Sequence, residues 1–341
     1  MALLWMDGFD HYSNTETFML DGLYAQASGI LSSSPVRTGL RSLLIDQGTI
    51  LRKVLPSGRA AVGVGMGLYF PQIPSINNNA VLIDFRDNTN TRHVAVGVTS
   101  TGALEVFSGV SYLGTTAPVL TANAWHHLEM AVGFSNTVGT VEIRVNGVTV
   151  LSLTGQDTVS TANVQCAQVA SFNTAGSPTS NFYIDDLFIW DTLGSHNNDF
   201  IGDRRVLRLL PNADTAETDW VRNTGSNDFE AIDEVPPDDD ATYVEATAAT
   251  DRSEYGMENL GAEVVNVAAL MTLPRIKKTD AGTANAQISL VSGASVTAGA
   301  DRPITTAYTY WPDVFETDPA TGAPWTPSAV NSALVRIERT A

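Results

Sequence analysis

The feature that most constrains this chain is a period of two. Val141, Ile143 and Val145 alternate with Glu142 and Arg144, and Asn146-Gly147 follows at once. Alternation places successive side chains on opposite faces of a strand, and Asn-Gly suits a type I′ turn, whose central residues both need positive φ. Residues 141–153 therefore read as a hairpin, with Val148–Leu153 as the return strand. The same pattern recurs along the chain between Gly, Asn, Ser and Thr turns, and long 3.6-residue periodicity is scarce. It covers Ala80–Arg86, Arg92–Thr99, Leu104–Ser108 and Trp125–Gly133. In Ala61–Phe70, Val62, Val64, Met66 and Leu68 share one face while Gly63, Gly65 and Gly67 take the other, which lets a neighbouring layer approach closely. A phosphate loop would need a helix after those glycines, and Tyr69-Phe70-Pro71 is extended.

At 341 residues the chain is long for one hydrophobic core, and about two domains are expected. No apolar run approaches the roughly 20 residues of a spanning helix. The first five residues are too short for a signal peptide and lack a basic start, so synthesis and assembly are expected in the cytoplasm. Acids outnumber bases 37 to 19, for a net charge of −18, which disfavours nucleic acid as a partner. Cys166 is the single cysteine and, among Val164, Ala167 and Val169, reads as a buried apolar residue.

Asn181–Trp190 is apolar on both faces, as in a covered central strand, apart from Asp185 and Asp186. Neighbouring strand residues point apart, so one aspartate should point inward or sit at a bend. Beyond Asp191 the chain turns polar, with a strand expected at Arg204–Leu210 and an acidic Pro-containing break at 233–240. Further strands are expected at Ala241–Ala248, Glu263–Thr272, Ala286–Val291 and Thr305–Trp311. Thr326-Pro327 has the N-cap and first-turn proline of one short helix, followed by a strand at Leu334–Ile337.

Trp125-His126-His127-Leu128-Glu129-Met130, then Val141–Gly147, then Ile184-Asp185-Asp186 resemble the ordered motifs of a laminin-G-like, concanavalin A-type jelly roll. Asp7-Gly8-Phe9-Asp10-His11-Tyr12 resembles its first strand. The resemblance implies an all-β chain: a jelly-roll sandwich over 1–195, a connector with one strand over 196–240, and a small β-rich domain with one short helix over 241–341. Three further segments resemble sequences that recur after a jelly roll in proteins of tailed phages. They are Asn197–Asp203, Lys278–Gly282 and Asp318–Thr326. This resemblance implies a structural component of a bacteriophage virion, on tail, baseplate or capsid. It implies other virion proteins as partners and a homo-oligomer in a symmetric assembly.

Retaining glycosidases of this fold carry Glu-x-Asp-x-x-Glu, which aims two carboxylates into one groove. That pattern is missing, Asp185 and Asp186 diverge on a regular strand, and no Gly-x-Ser-x-Gly occurs, so the expectation is a protein that is not an enzyme. His126 and His127 point apart and read as strand surface residues without a spaced metal partner. No cofactor is expected, and calcium is the one metal the sequence admits. Laminin-G-like relatives hold it at a loop rim, and Asp84, Asp87, Asn88, Asn90 and Asp185 are of the right type. The same residues are also ordinary turn formers. The alternative function is a host-surface glycan adhesin, with Trp125, Tyr112 and Tyr69 as stacking candidates beside a reading as core aromatics.

Overall fold

The computed structural model describes residues 2–12, 22–75, 80–173 and 181–341. The chain divides into two compact units, Met1–Leu207 and Arg208–Ala341. In the first, the strands run β1 (Leu3–Asp7), β2 (Gln26–Ala27), β3 (Ile30–Ser32), β4 (Ser42–Ile45) and β5 (Ile50–Arg59). Next come β6 (Ala61–Tyr69), β7 (Ala80–Arg86), β8 (Arg92–Val98), β9 (Leu104–Ser108) and β10 (Ser111–Thr115). The series ends with β11 (Trp125–Gly133), β12 (Gly139–Val145), β13 (Val148–Gln156), β14 (Cys166–Asn173) and β15 (Phe182–Asp191).

These strands form two antiparallel sheets. One runs β13-β12-β11-β6-β15-β4-β3, with β1 also on β15; the other runs β10-β9-β8-β7-β14-β5-β2. Neighbours far apart in sequence, such as β6 with β15 and β5 with β14, make this the jelly-roll sandwich that the motif order implied. Val62, Val64, Met66 and Leu68 are all buried, and Val64 lines a small space with Leu51 and Val169 of the second sheet. Each such side chain stabilises the fold by roughly 1.5–3 kcal/mol relative to exposure. The hairpin forms as read: Val145 pairs with Val148, and Asn146 and Gly147 have φ of 51° and 79°. Cys166 is buried, and burial pushes its thiol up to about 12.

The second unit is a smaller β-rich body. Its main sheet orders Pro211–Thr218, Arg252–Met257, Leu334–Arg339, Asn285–Ser292 and Ser295–Ala298, with Arg302–Pro303 paired to Asn285–Ser292. A helix spans Pro327–Ser332, capped by the Thr326 side chain, which accepts from the Ala329 amide at 3.1 Å. Phe315, Trp325 and Val330 pack in one core cluster; Trp220, Ile276 and Trp311 pack in another.

Several boundaries differ from expectation. Arg204–Leu210 is not a strand, and Pro211–Thr218 is. Residues 196–207 belong to the first unit and 208–240 to the second, where a separate connector was expected. The strands expected at Ala241–Ala248, Glu263–Thr272 and Thr305–Trp311 shrink to Val244–Glu245, Leu270–Thr272 and Thr309–Tyr310. Around the first of these, carboxylates take the backbone donors that a ladder would use. Asp238 accepts from the Thr242 amide, and Asp251 accepts from the amides of Thr247 and Ala248.

Candidate functional site

The outer face of the β6 sheet, away from the second sheet, carries the densest chemistry in the first unit. Three neighbouring strands align there in register. Trp125 of β11 lies opposite Tyr69 of β6, which lies opposite Tyr183 of β15. Their ring centroids are 5.4 and 6.0 Å apart, and all three rings are half-buried. The row continues through Leu44 of β4 to Ile30 of β3. Two residues further along, His127, Gly67 and Asp185 form the next row, and Glu129, Gly65 and Phe188 the one after.

The glycines explain how this face is filled. A Cβ on Gly67 would lie 2.3 Å from the Arg37 side chain, one on Gly65 2.2 Å from Phe188, and one on Gly63 2.0 Å from Trp190. Bare backbone along β6 thus gives three large side chains room to lie flat across it.

Arg37 is the hub of a buried polar cluster. Its backbone amide and that of Thr38 donate to Asp185 at 2.9 and 3.2 Å. Its guanidinium donates to Asp186 at 3.0 Å and pairs with Asp203, and the Thr38 hydroxyl donates to Asp186 at 3.0 Å. Both aspartates therefore reach the same two residues, which corrects the expectation that they diverge. A register shift between Asp185 and Phe188, with φ of 51° at Asp186, inserts a residue at this point and turns the second carboxylate back. Burial, and then the charge of Asp186, push the Asp185 carboxyl up to about 8 against three amide hydrogen bonds. Burial likewise raises Asp186, opposed by the Val206 amide and Arg37. Asp203 is held low: burial would raise it, but Arg37 and Arg205 outweigh that effect.

Glu129 and His127 complete the cluster. Glu129 accepts from the amides of Ile201 and Gly202 at 3.2 and 3.0 Å, and its other oxygen lies 3.5 Å from His127 Nε2. The His127 ring stacks on Phe188 with centroids 5.9 Å apart. His126 and His127 were expected on the strand surface, and both are buried. His127 does have a spaced partner, because strand alternation puts Glu129 on its face. His126 points the other way, to Thr121.

The remaining candidates are scattered. Asp84 is buried on β7 in the second sheet and paired with Arg86 and Arg92 at 2.6 and 3.2 Å, a setting that already neutralises it. Asp87 accepts from the amides of Thr89 and Thr91 and from two threonine hydroxyls. Against the raising effect of burial, those bonds lower its carboxyl. Asn88 accepts from Asn163, and Asn90 from Arg52. These are turn and ion-pair roles, and Asp185 stands in the other sheet. Among the described residues no three His, Cys, Asp or Glu side chains group in a way that could hold a metal. Tyr69 and Trp125 come together, whereas Tyr112 is on the edge strand β10, against Phe107. Arg37, Thr38, Tyr183 and Asp203 were not singled out as site residues from sequence. Only Glu129, two residues after His127, had a local signal.

No protein-family model matches the chain, and no curated protein matches it. Solved structures do. The alginate lyase Aly36B is similar at 14% identity and a TM-score of 0.40, over 57% of this chain and 98% of that one. The endo-β-1,4-glucuronan lyase of the fungus Trichoderma reesei is similar at 13% and 0.36, over 48% and 87%. The catalytic domain of a glycoside hydrolase family 131 protein from Coprinopsis cinerea is similar at 14% and 0.36, over 55% and 94%. A sialidase is matched over 47% of this chain and 16% of its own length. Likeness at this level concerns the β-sandwich fold alone. The expectation that the chain is not an enzyme does not stand beside these matches, which include enzymes acting on glycans, and a likeness this weak neither gives this chain an activity nor denies it one. The missing Glu-x-Asp-x-x-Glu pattern bears on one arrangement of two carboxylates and excludes no other chemistry.

Proposed function

We propose that this chain is a structural component of a tailed-bacteriophage virion, built into tail, baseplate or capsid through contacts with other virion proteins. One observation carries the reading beyond sequence resemblance. The phage-like segment Asn197–Asp203 is folded onto the jelly roll, held at Ile201 and Gly202 by Glu129 and at Asp203 by Arg37. Two of the stretches that resemble known proteins, Ile184-Asp185-Asp186 and Asn197–Asp203, therefore meet at one cluster of side chains. A segment held on its sandwich along a fixed path suits a part packed among other proteins of an assembly. Mass spectrometry of purified particles is expected to find the chain at a fixed copy number, with matching density in a particle reconstruction. Particles that lack it would sink the reading.

The row Trp125–Tyr69–Tyr183 favours a second reading, a surface that stacks against host glycans. Aromatic rings offer flat apolar faces to sugar C–H groups, and the Tyr69 hydroxyl is already fixed by Asn123 at 3.3 Å. If so, the isolated chain binds glycans on an array of host-surface polysaccharides, and Trp125→Ala weakens that binding about tenfold, equivalent to about 1.4 kcal/mol. Equal binding by the variant, measured with its melting temperature as a check on folding, would remove these rings from the role.

A further inference from the structure

The outer face of the second sheet carries a row that crosses six strands in register. Arg52 of β5 lies opposite Ala170 of β14, Ala170 opposite Asp84 of β7, and Asp84 opposite Ala95 of β8. Ala95 then lies opposite Phe107 of β9, and Phe107 opposite Tyr112 of β10. Five strand spacings make the row about 24 Å long. Alternation turns it away from the core: Leu51 and Lys53, on either side of Arg52, line the space between the sheets, and Val94 and Val96, on either side of Ala95, are fully buried.

One end of this row holds more positive charge than its own carboxylate can neutralise. A single oxygen of Asp84 accepts from Nε and Nη2 of Arg86, at 3.0 and 2.6 Å, and from the same atoms of Arg92, both at 3.2 Å. Both guanidiniums lie over the Phe172 ring, 5.6 and 5.5 Å from its centroid. Arg52 and Arg86 also share the side-chain oxygen of Asn90, at 2.6 and 3.2 Å. Three guanidiniums thus gather on one carboxylate, in a chain where acids outnumber bases 37 to 19. Glu105, the other acid on this face among the described residues, is two strands away on β9. Nη1 of Arg92, and Nε and Nη2 of Arg52, have no partner among the described residues, and that Nε is buried, where an unmade hydrogen bond is costly.

We infer that this row binds an acidic saccharide, with a carboxylate or sulfate on Arg92 and Arg52 and another unit of the same chain stacked on Tyr112. Guanidinium edges match the planar, paired oxygens of such anions. The Arg92 side chain is 33% exposed and Tyr112 is 56% exposed, so both ends of the row are open to a ligand. Between them the small Ala95 keeps the floor low. The open tyrosine ring selects a saccharide over an acidic peptide, because sugar C–H groups stack on its face. Most of the acidic excess of the chain lies beyond Leu207, and at physiological ionic strength each charge is screened over about 8 Å. An anion at this row therefore meets the arginines first.

The inference stands apart from both readings above: the Trp125 row belongs to the other sheet, and particles lacking the chain would leave this binding intact. Calorimetric titration of the full chain with a galacturonate oligomer long enough to span the row is expected to give a dissociation constant below about 1 mM. Raising NaCl from about 0.05 to about 0.5 M should weaken it several-fold. The same oligomer with its carboxyl groups reduced to alcohols should bind at least about tenfold more weakly, as should the acidic oligomer to Arg92→Gln and Tyr112→Ala. A sulfated oligomer names the anion: whichever of the two acidic oligomers binds more tightly, the site stands. Melting temperatures check folding, and Tyr112→Ala, on an exposed edge strand, carries the test should Arg92→Gln not fold. Binding of neither acidic oligomer, equal binding of the reduced oligomer or of polyglutamate, or unchanged affinity in the folded variants would overturn the inference.

Discussion

Arg37→Ala is expected to lower folding stability by about 3–5 kcal/mol at neutral pH, the usual cost of leaving a buried ion pair with one partner. The Arg37 side chain is 4% exposed and that of Asp186 is fully buried, so water cannot replace the lost guanidinium. Arg205 remains, but its Nε stands 3.8 Å from Asp186 on a half-exposed side chain. The loss should also depend on pH. Asp185 and Asp186 both have folded pKa values above their ordinary ones. Through the window from about 4 to about 8 the folded chain holds protons that the unfolded chain has released, so their contribution to stability falls as pH rises. Removing the cation strengthens that tendency. The variant should therefore lie closer to the parent at about pH 5 than at about pH 8 in urea denaturation. Arg37→Lys, which keeps the charge but loses the fork, should fall between the two. Equal midpoints for parent and Arg37→Ala at the higher pH would show that the cluster does not hold this face together.

Gly63→Ala should cost about 3 kcal/mol, at the upper end of what overpacking a core usually costs. The added methyl would sit 2.0 and 2.1 Å from two carbons of the Trp190 ring. Trp190 is 1% exposed and has Phe188 on one side and Phe200 on another, at 5.7 and 5.8 Å between centroids, so it has nowhere to go. Gly147 provides the contrast. No atom lies within 4 Å of its absent Cβ, and alanine there should cost only the strain of its positive φ. Trp190→Phe made in the Gly63→Ala background should recover part of the loss, and a double-mutant cycle measures how much. Additive effects would mean that the glycine and the ring are not coupled.

The sandwich was legible because its signals are local. Val141, Ile143 and Val145 declare a strand within five residues, and Asn146-Gly147 declares the turn beside it. The second unit was less legible, since carboxylates such as Asp251 compete for backbone amides and cut its strands short. The site was least legible of all. Arg37 lies 148 residues from Asp185, in a stretch with no motif of its own, and only the pairing of β4 with β15 brings them together. Tyr183 could be read as a strand residue, but its place beside Tyr69 and Trp125 depends on two non-local registers. Glu129 was within reach, because alternation alone puts it on the face of His127.

The residue inserted at Asp186 also acts as a change of phase in β15. Before it, odd-numbered residues such as Tyr183 and Asp185 lie on the outer face; after it, the even-numbered Phe188 and Trp190 do. Ile184 and Ile189 can both face the second sheet only because the count slips between them. The doublet is thus a frame marker for the strand, much as a single inserted base resets a reading frame. Losing one aspartate would do more than remove a carboxylate. It would send Phe188 and Trp190 toward an interior already filled and turn Ile189 out onto the glycines of β6, so this position tolerates substitution far better than deletion.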